Sequence, residues 1–145
     1  MSQWLYKGEP YEPPEGFTPK DLYGFVYLIE NLANGKCYIG KKLMWASKTR
    51  QVNKKKKRYK AESDWRDYYG SSEALLKDVE YYGKGAFRRT ILHLCKSKGE
   101  CSYLEMKEQV ERDVLLRDDY YNTWISARVR TNHLNNLRES YQSDR

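Results

Sequence analysis

The sequence predicts an α+β fold in which a small antiparallel three-stranded β-sheet is flanked by helices. Three observations carry this. Asn34-Gly35 joins two runs rich in β-branched and aromatic residues, "YGFVYLIEN" and "KCYIGKKLM", and Asn-Gly between such runs is the strongest short-range hairpin signal. "GSSEALLKDVEYYG" offers a serine cap, leucines at helical spacing and a terminal glycine. "AFRRTILHL" then reads as a third strand, followed by a second helical stretch, "SYLEMKEQVERDVLL".

Taken in order, residues 1–21 form an irregular N-terminal arm, because Pro10, Pro13, Pro14, Gly8 and Gly16 crowd it. Residues 22–125 form the domain proper. Within it, residues 41–60 are a basic insertion whose plainest reading is a solvated loop. The first helix starts at Ser71 or Ser72, ends at Gly83 and carries Leu75, Leu76 and Val79 at helical spacing. The second aligns Tyr103, Met106, Val110 and Val114 on one stripe. "DDYYNTWI" closes the domain as a turn, and the tail, 126–145, is compatible with a helix of thin apolar content.

A two-residue turn at Asn34-Gly35 pairs Ala33 with Lys36 and fixes the register. Tyr27 then lies opposite Lys42, Ile29 opposite Gly40 and Asn31 opposite Tyr38, all on one face. Val26, Leu28, Leu32, Cys37, Ile39 and Leu43 take the other face, apolar enough to be the buried one. The first face gathers two phenols and an ammonium around a glycine, which lets another group approach the backbone closely. Tyrosine is also an ordinary strand residue, and the chain has 14 of them.

A length of 145 residues suits one domain with a modest core. The net charge is +7. Residues 41–60 alone contain ten Lys or Arg and no Asp or Glu, so the rest of the chain nets −3 (+7 overall less +10 here). Charge concentrated in this way points to a polyanionic partner, either nucleic acid or an acidic membrane surface. Cys37, Cys95 and Cys101 are odd in number and lack CxxC spacing, which argues against a disulfide framework or a zinc site and for reduced thiols in a cytoplasmic setting. His93 and His133 fit no zinc motif and read as structural or surface residues. No apolar run approaches the length of a bilayer span, and the N-terminal stretch has no secretory h-region.

The chain resembles GIY-YIG endonucleases. Phe25-Val26-Tyr27 stands in the place of the first motif and Tyr38-Ile39-Gly40 matches the second, while "YYGSSEALLKDVEYYGKGAFRRTILHLC", "SYLEMKEQ" and "YYN" resemble the middle, the glutamate-bearing helix and the closing motif of phage-encoded members. The likeness spans Tyr23 to Ile125 and implies the GIY-YIG fold and phosphodiester hydrolysis with a divalent metal, Mg²⁺ or Mn²⁺. Phage origin and a freestanding, homing-type relationship are likewise implied by the resemblance alone, and with them a host-cell cytoplasmic location.

The resemblance also suggests roles. Tyr27 would be the base or water-positioner, with Tyr38 bonding a phosphate oxygen, Tyr69 a second acid or base, and Asn122 ordering the site. A phenol titrates near pH ~10, so Lys42 across the ladder would have to favour the phenolate. Phe25 replaces the family's first glycine and no arginine follows the second motif at the usual distance, leaving the catalytic cation open between Lys42 and Arg50. Glu105 would hold the metal, although Ser102 and Glu105 also make a capping box, and Glu108 or Glu111 could serve instead. Ser71 and Ser72 could present helix-terminal donors to phosphate or be plain caps. Lys41, Lys48, Lys54, Lys55, Lys56, Lys57, Arg58 and Lys60 would grip DNA, with Tyr59 and Trp65 as stacking partners. The expected partner is DNA rather than a membrane, with the chain acting as a monomer or homodimer. The competing reading is a non-catalytic nucleic-acid-binding protein that uses the Lys/Arg-rich segment on the same scaffold.

Overall fold

The computed structural model describes residues 3–125 and 134–143. It is an α+β fold built on β1 (Trp4–Tyr6), β2 (Glu9–Pro10), β3 (Gly24–Asn31), β4 (Cys37–Leu43), β5 (Trp45–Val52), β6 (Lys55–Glu62) and β7 (Phe87–Cys95), with helices α1 (Glu73–Tyr82), α2 (Lys98–Glu111) and α3 (Asn135–Ser143). The main sheet has five strands rather than three, in the order β2-β1-β7-β3-β4, and β5-β6 forms a separate two-stranded ribbon. His133 and residues 126–133 and 144–145 of the tail lie outside the described residues; α3 places a helix in the rest of the tail.

The N-terminal arm is not irregular throughout. β1 pairs in parallel with β7, and Trp4 is buried, donating its indole N–H to the carbonyl of Trp65 at 2.7 Å. This pairing joins segments far apart in sequence, so no local pattern announces it.

The β3-β4 hairpin forms, but its register differs from the expected one. Asn34-Gly35 belongs to a longer loop in which Gly35 N–H bonds to Asn31 C=O at 2.8 Å and the Asn31 side chain accepts from Ala33 N–H at 2.9 Å. Tyr27 therefore faces Gly40, with Phe25 opposite Lys42 and Ile29 opposite Tyr38. The slip is two residues, which preserves side-chain parity, so both phenols stay on one face.

Both faces of β3 are buried, contrary to the expectation of a half-exposed tyrosine face. Tyr27, Phe25 and Ile29 pack with Trp4, Trp65, Phe87 and Leu75 of α1. Val26 and Ile39 pack on the other side with Cys95, with Cys101 and Leu104 of α2, and with Val114. Leu32 and Leu43, expected inside, are exposed. Helices thus cover a central strand from both sides, which accounts for the nearly continuous apolar run of β3.

Ser72 caps α1, accepting from Leu75 N–H, and Gly83 ends it at φ 86°. The second helix begins earlier than expected: Ser97 is its cap, accepting from Glu100 N–H at 3.2 Å. Ser102 and Glu105 are consequently mid-helix and form no capping box. The buried positions of α2 are Cys101, Ser102, Leu104 and Gln109, whereas Val110 is exposed and Val114 is buried only beyond the helix end. The three cysteines are free thiols. Among the described residues no helix is long and apolar enough to cross a membrane.

The basic insertion is an ordered hairpin. Val52 pairs with Lys55, and the two turn residues Asn53 and Lys54 have φ of 49° and 62°, the signature of the primed turns that match strand twist. Lysine in a left-handed conformation costs roughly 1 kcal/mol that glycine avoids, partly offset by glycine's greater unfolded entropy. Lys54→Gly is therefore expected to stabilise the ribbon by about 0.5 kcal/mol, read as a roughly twofold slowing of amide exchange in β5 and β6.

Candidate active site

β4 is an edge strand of the sheet, and its outward backbone groups are satisfied mostly by side chains. Asn122 accepts from Ile39 N–H at 3.0 Å and donates to Ile39 C=O at 2.8 Å. Gln109 of α2 donates to the same carbonyl at 3.1 Å. Two residues back, Cys37 donates to the Asp119 carbonyl at 2.9 Å and accepts from Tyr121 N–H at 2.8 Å. Two residues on, the Lys41 backbone N–H bonds to the Glu105 carboxylate. The segment around Tyr121 is held in turn by its hydroxyl, which donates to Asp78 of α1 at 2.6 Å and accepts from Asn31 at 3.1 Å.

Over this edge opens a pocket of about 640 Å³. Tyr27, Tyr38, Gly40, Lys41, Ser71, Ser72, Glu105 and Asn122 line it, together with Glu73 at the start of α1, Gln109 and Trp124. The N-terminus of α1 approaches from one side of the sheet and α2 from the other. Strand, two helices and the segment near Tyr121 thus bring Tyr27, Tyr38, Glu105 and Asn122 together from across the chain.

Two glycines permit the crowding. A Cβ at Gly40 would lie 2.7 Å from Cζ of Tyr27 and 2.9 Å from the Tyr38 ring, so the Tyr27 ring lies across a position that only glycine leaves free. Gly70, at φ 96°, passes equally close: a Cβ there would sit 2.7 Å from Leu75 and 3.6 Å from the Tyr27 hydroxyl. The Tyr27 and Tyr38 ring centroids are 6.2 Å apart. The Tyr38 hydroxyl lies 3.4 Å from that of Ser71.

The electrostatics differ from those expected. Burial pushes the Tyr27 phenol well above its ordinary range, and Tyr68, Tyr38 and the Glu105 carboxylate push it the same way. Tyr27 is 1% exposed, and the groups acting on it raise it rather than lower it as Lys42 was expected to. Burial also raises Tyr38, against the hydrogen bond to Ser71. Lys42 is engaged elsewhere: its ammonium pairs with Asp64 at 2.6 Å and lies 4.1 Å from the centre of the Tyr68 ring. Arg50 is out on β5, over Tyr59. Among the described residues the cation lining the pocket is instead Lys41, whose ammonium donates to Ser102 at 2.7 Å. Alternation does send Lys41 away from the tyrosine face, but at the sheet edge that direction leads to Glu105.

Tyr69 does not reach the pocket; it is buried against Arg89, 4.2 Å from ring centre to guanidinium. Its neighbour Tyr68 hydrogen-bonds Tyr27 and packs edge-on against it at 5.9 Å. No motif singles out Tyr68, and only its adjacency to Tyr69 could have drawn attention to it. Trp65 is a core residue, not a stacking platform. Glu108 is occupied by His93 at 3.0 Å and Arg112 at 3.0 Å, which hold its carboxyl below the usual range against the effect of burial. That leaves Glu105 as the α2 carboxylate facing the pocket. Lys48, Lys54, Lys55, Lys56, Lys57, Arg58 and Lys60 all project into solvent from the ribbon.

Burial raises the Glu105 carboxyl, and the Lys41 charge and backbone N–H only partly counter it. The folded state therefore binds this proton more tightly than the unfolded chain does. The sign follows: stability falls as pH rises from the ordinary carboxylate range through the raised value. At pH 7 Glu105→Gln, which keeps an acceptor for Lys41 N–H, is expected to raise Tm by about 2–4 °C, and the gain should vanish below about pH 4. Paired thermal melts at the two pH values check this.

The family model described as "Putative endonuclease segE, GIY-YIG domain" matches residues 4–125. Enterobacteria phage T4 contains a protein named "Putative endonuclease segE" that is 33% identical over 101 residues, covering 70% of this chain and 40% of its own length. The chain thus spans less than half the length of the curated relative it matches. No solved structure matches.

Proposed function

The chain belongs to the GIY-YIG endonuclease family, and from that premise we propose that it is a metal-dependent DNA endonuclease that hydrolyses phosphodiester bonds. In this reading the target is phage or host DNA, nicked or cleaved in a homing-type or other event. The observation that carries the reading is the convergence of Tyr27, Tyr38, Glu105 and Asn122 on one pocket at the β4 edge.

The donor set suits a hard dication. Among the described residues no three His, Cys, Asp or Glu cluster as a protein cage would require. Mg²⁺ or Mn²⁺ needs less, because it takes one or two carboxylates and completes its shell with waters and substrate oxygens. Glu105 would hold it. When bound, the ion supplies charge stabilisation to the phosphoryl oxygens.

This chain's own residues do the rest. Protonated Tyr27, whose hydroxyl donates to Tyr68, presents its phenol oxygen as the acceptor that positions the attacking water. Beside it Tyr38 and Ser71 donate to the phosphate, and the first turn of α1 adds backbone donors at its positive end. The Lys41 ammonium neutralises developing charge. Asn122 touches no reacting atom; it fixes β4, and therefore Tyr38 and Gly40, in place.

Supercoiled plasmid incubated with purified protein and Mg²⁺ should be cut. Tyr27→Phe and Glu105→Ala should each slow cutting by on the order of 10²-fold or more, with unchanged circular dichroism. Cutting that survives both changes refutes the site, and binding without any cutting favours the non-catalytic alternative. The double variant Lys56→Ala/Lys57→Ala should flatten the dependence of log affinity on log salt by roughly 1.8, as loss of two phosphate contacts requires.

A further inference from the structure

We propose that the β5-β6 ribbon is a major-groove reading arm for duplex DNA, and that its face bearing Ser47, Thr49, Gln51, Lys56, Arg58 and Lys60 sets the preferred sequence. The inference rests on the DNA reading above for its ligand class but not on cleavage.

The two faces of the ribbon differ in chemistry. Ser47 pairs with Lys60, Thr49 with Arg58 and Gln51 with Lys56. Because strand side chains alternate, these six share one face, where a row of uncharged hydrogen-bonding groups runs beside a row of cations. The opposite face carries four cations, Lys48, Arg50, Lys55 and Lys57, with Val52 and Tyr59, but no row of uncharged hydrogen-bonding groups. A ribbon serving only to attract phosphates would need the cations alone. Gln, Ser, Thr and Arg are the side chains whose donors and acceptors fit base edges: Gln with adenine, Arg with guanine, Ser and Thr with either.

Shape agrees with chemistry. The ribbon is a sheet of its own, and all six of these residues are exposed. Strands of eight residues extend about 26 Å, and a two-stranded ribbon fits the major groove of B-DNA, which is about 12 Å wide. The deep, narrow major groove of duplex RNA would not admit it. Single strands are disfavoured as well, since the reading face presents no aromatic platform over this stretch and the exposed Tyr59 lies on the other face, with Arg50 5.4 Å from its ring centre.

The arm is also aimed. At its root Trp45 donates to the Leu22 carbonyl at 2.8 Å and packs on Phe17, and opposite it Glu62 accepts from the Trp65 indole at 2.6 Å. A cleft of about 690 Å³ lies there, lined by Lys41, Lys42, Ser47, Lys48 and Lys60 among others. Lys41 lines both this cleft and the catalytic pocket. Glu62 and Asp64 line this cleft too, the latter paired with Lys42, so the path from the pocket to the reading face carries four lysines against two acids.

The test uses the full chain in EDTA, so that no cutting is required. Preferred duplexes are selected from a random library, then probed by N7-methylguanine interference, which blocks the major groove, and by netropsin, which occupies the minor groove. Methylation within the selected site should weaken binding about tenfold and netropsin should not. Thr49→Ala/Gln51→Ala should lower discrimination at the affected base pairs by about fivefold or more while leaving the salt slope unchanged, since neither residue is charged. Interference by netropsin alone, absence of any selected sequence, or an unaltered consensus in the double variant would each overturn the proposal. Selective binding without plasmid cutting in Mg²⁺ would instead sink the nuclease reading and leave this one standing.

Discussion

The free edge of β4 is the constraint on which the rest of the molecule depends. An edge strand presents unpaired N–H and C=O groups that must find partners or remain open to another chain. Here Cys37, Ile39 and Lys41 point those groups outward, and the partners come from the segment around Tyr121, from Asn122 and Gln109, and from Glu105. Leaving one such buried group unpaired costs about 1–3 kcal/mol, so the requirement to satisfy the edge pulls three distant parts of the chain to one place. The tyrosines of the hairpin and the carboxylate of α2 meet because the backbone between them needs donors and acceptors.

The site is assembled at a local cost that the core carries. Tyr27 is buried among Trp4, Phe25 and Tyr68, and Glu105 is desolvated with only Lys41 to offset it. A buried hydroxyl fixed in one geometry needs no reorganisation when charge develops beside it. Lys41 and Lys42, adjacent in sequence, serve opposite ends: alternation gives one to the carboxylate edge and the other to Asp64 and Tyr68. The second arrangement braces Tyr68, and Tyr68 braces Tyr27.

What the sequence disclosed was local. The cap and stop of α1, the run of β7, and the existence of the β3-β4 hairpin follow from turn chemistry and periodicity within a few residues. Parity survived although register did not, because the loop is closed by the Asn31 side chain, a longer-range choice than Asn34-Gly35 indicates. The ribbon turn was hidden since lysine occupies a position where glycine is the usual marker. β1 was hidden by its parallel, non-local partner, and the stripe of α2 by its polar buried face, where Ser102 and Gln109 answer Lys41 and Ile39 rather than packing as a core. Of the site, the two tyrosines, Glu105 and Asn122 were legible through family motifs; Lys41 and Tyr68 were not, since their roles depend on which way an edge residue leans and which of two adjacent tyrosines turns inward.

Charge distribution would keep the proposed grip and the proposed chemistry separate on one small scaffold. Residues 41–60 carry ten cations and no acids while the remainder nets −3, so a polyanion is drawn to the ribbon and repelled, on balance, elsewhere. The pocket itself holds carboxylates at Glu73 and Glu105 facing Lys41, a mixture that binds a bare phosphate weakly. A phosphodiester would gain hold there only when delivered by contacts made at a distance, with a dication to offset the acids. Under the proposed function, binding energy collected along the ribbon would be available for positioning at the pocket, which is the condition under which remote contacts raise rate rather than merely affinity.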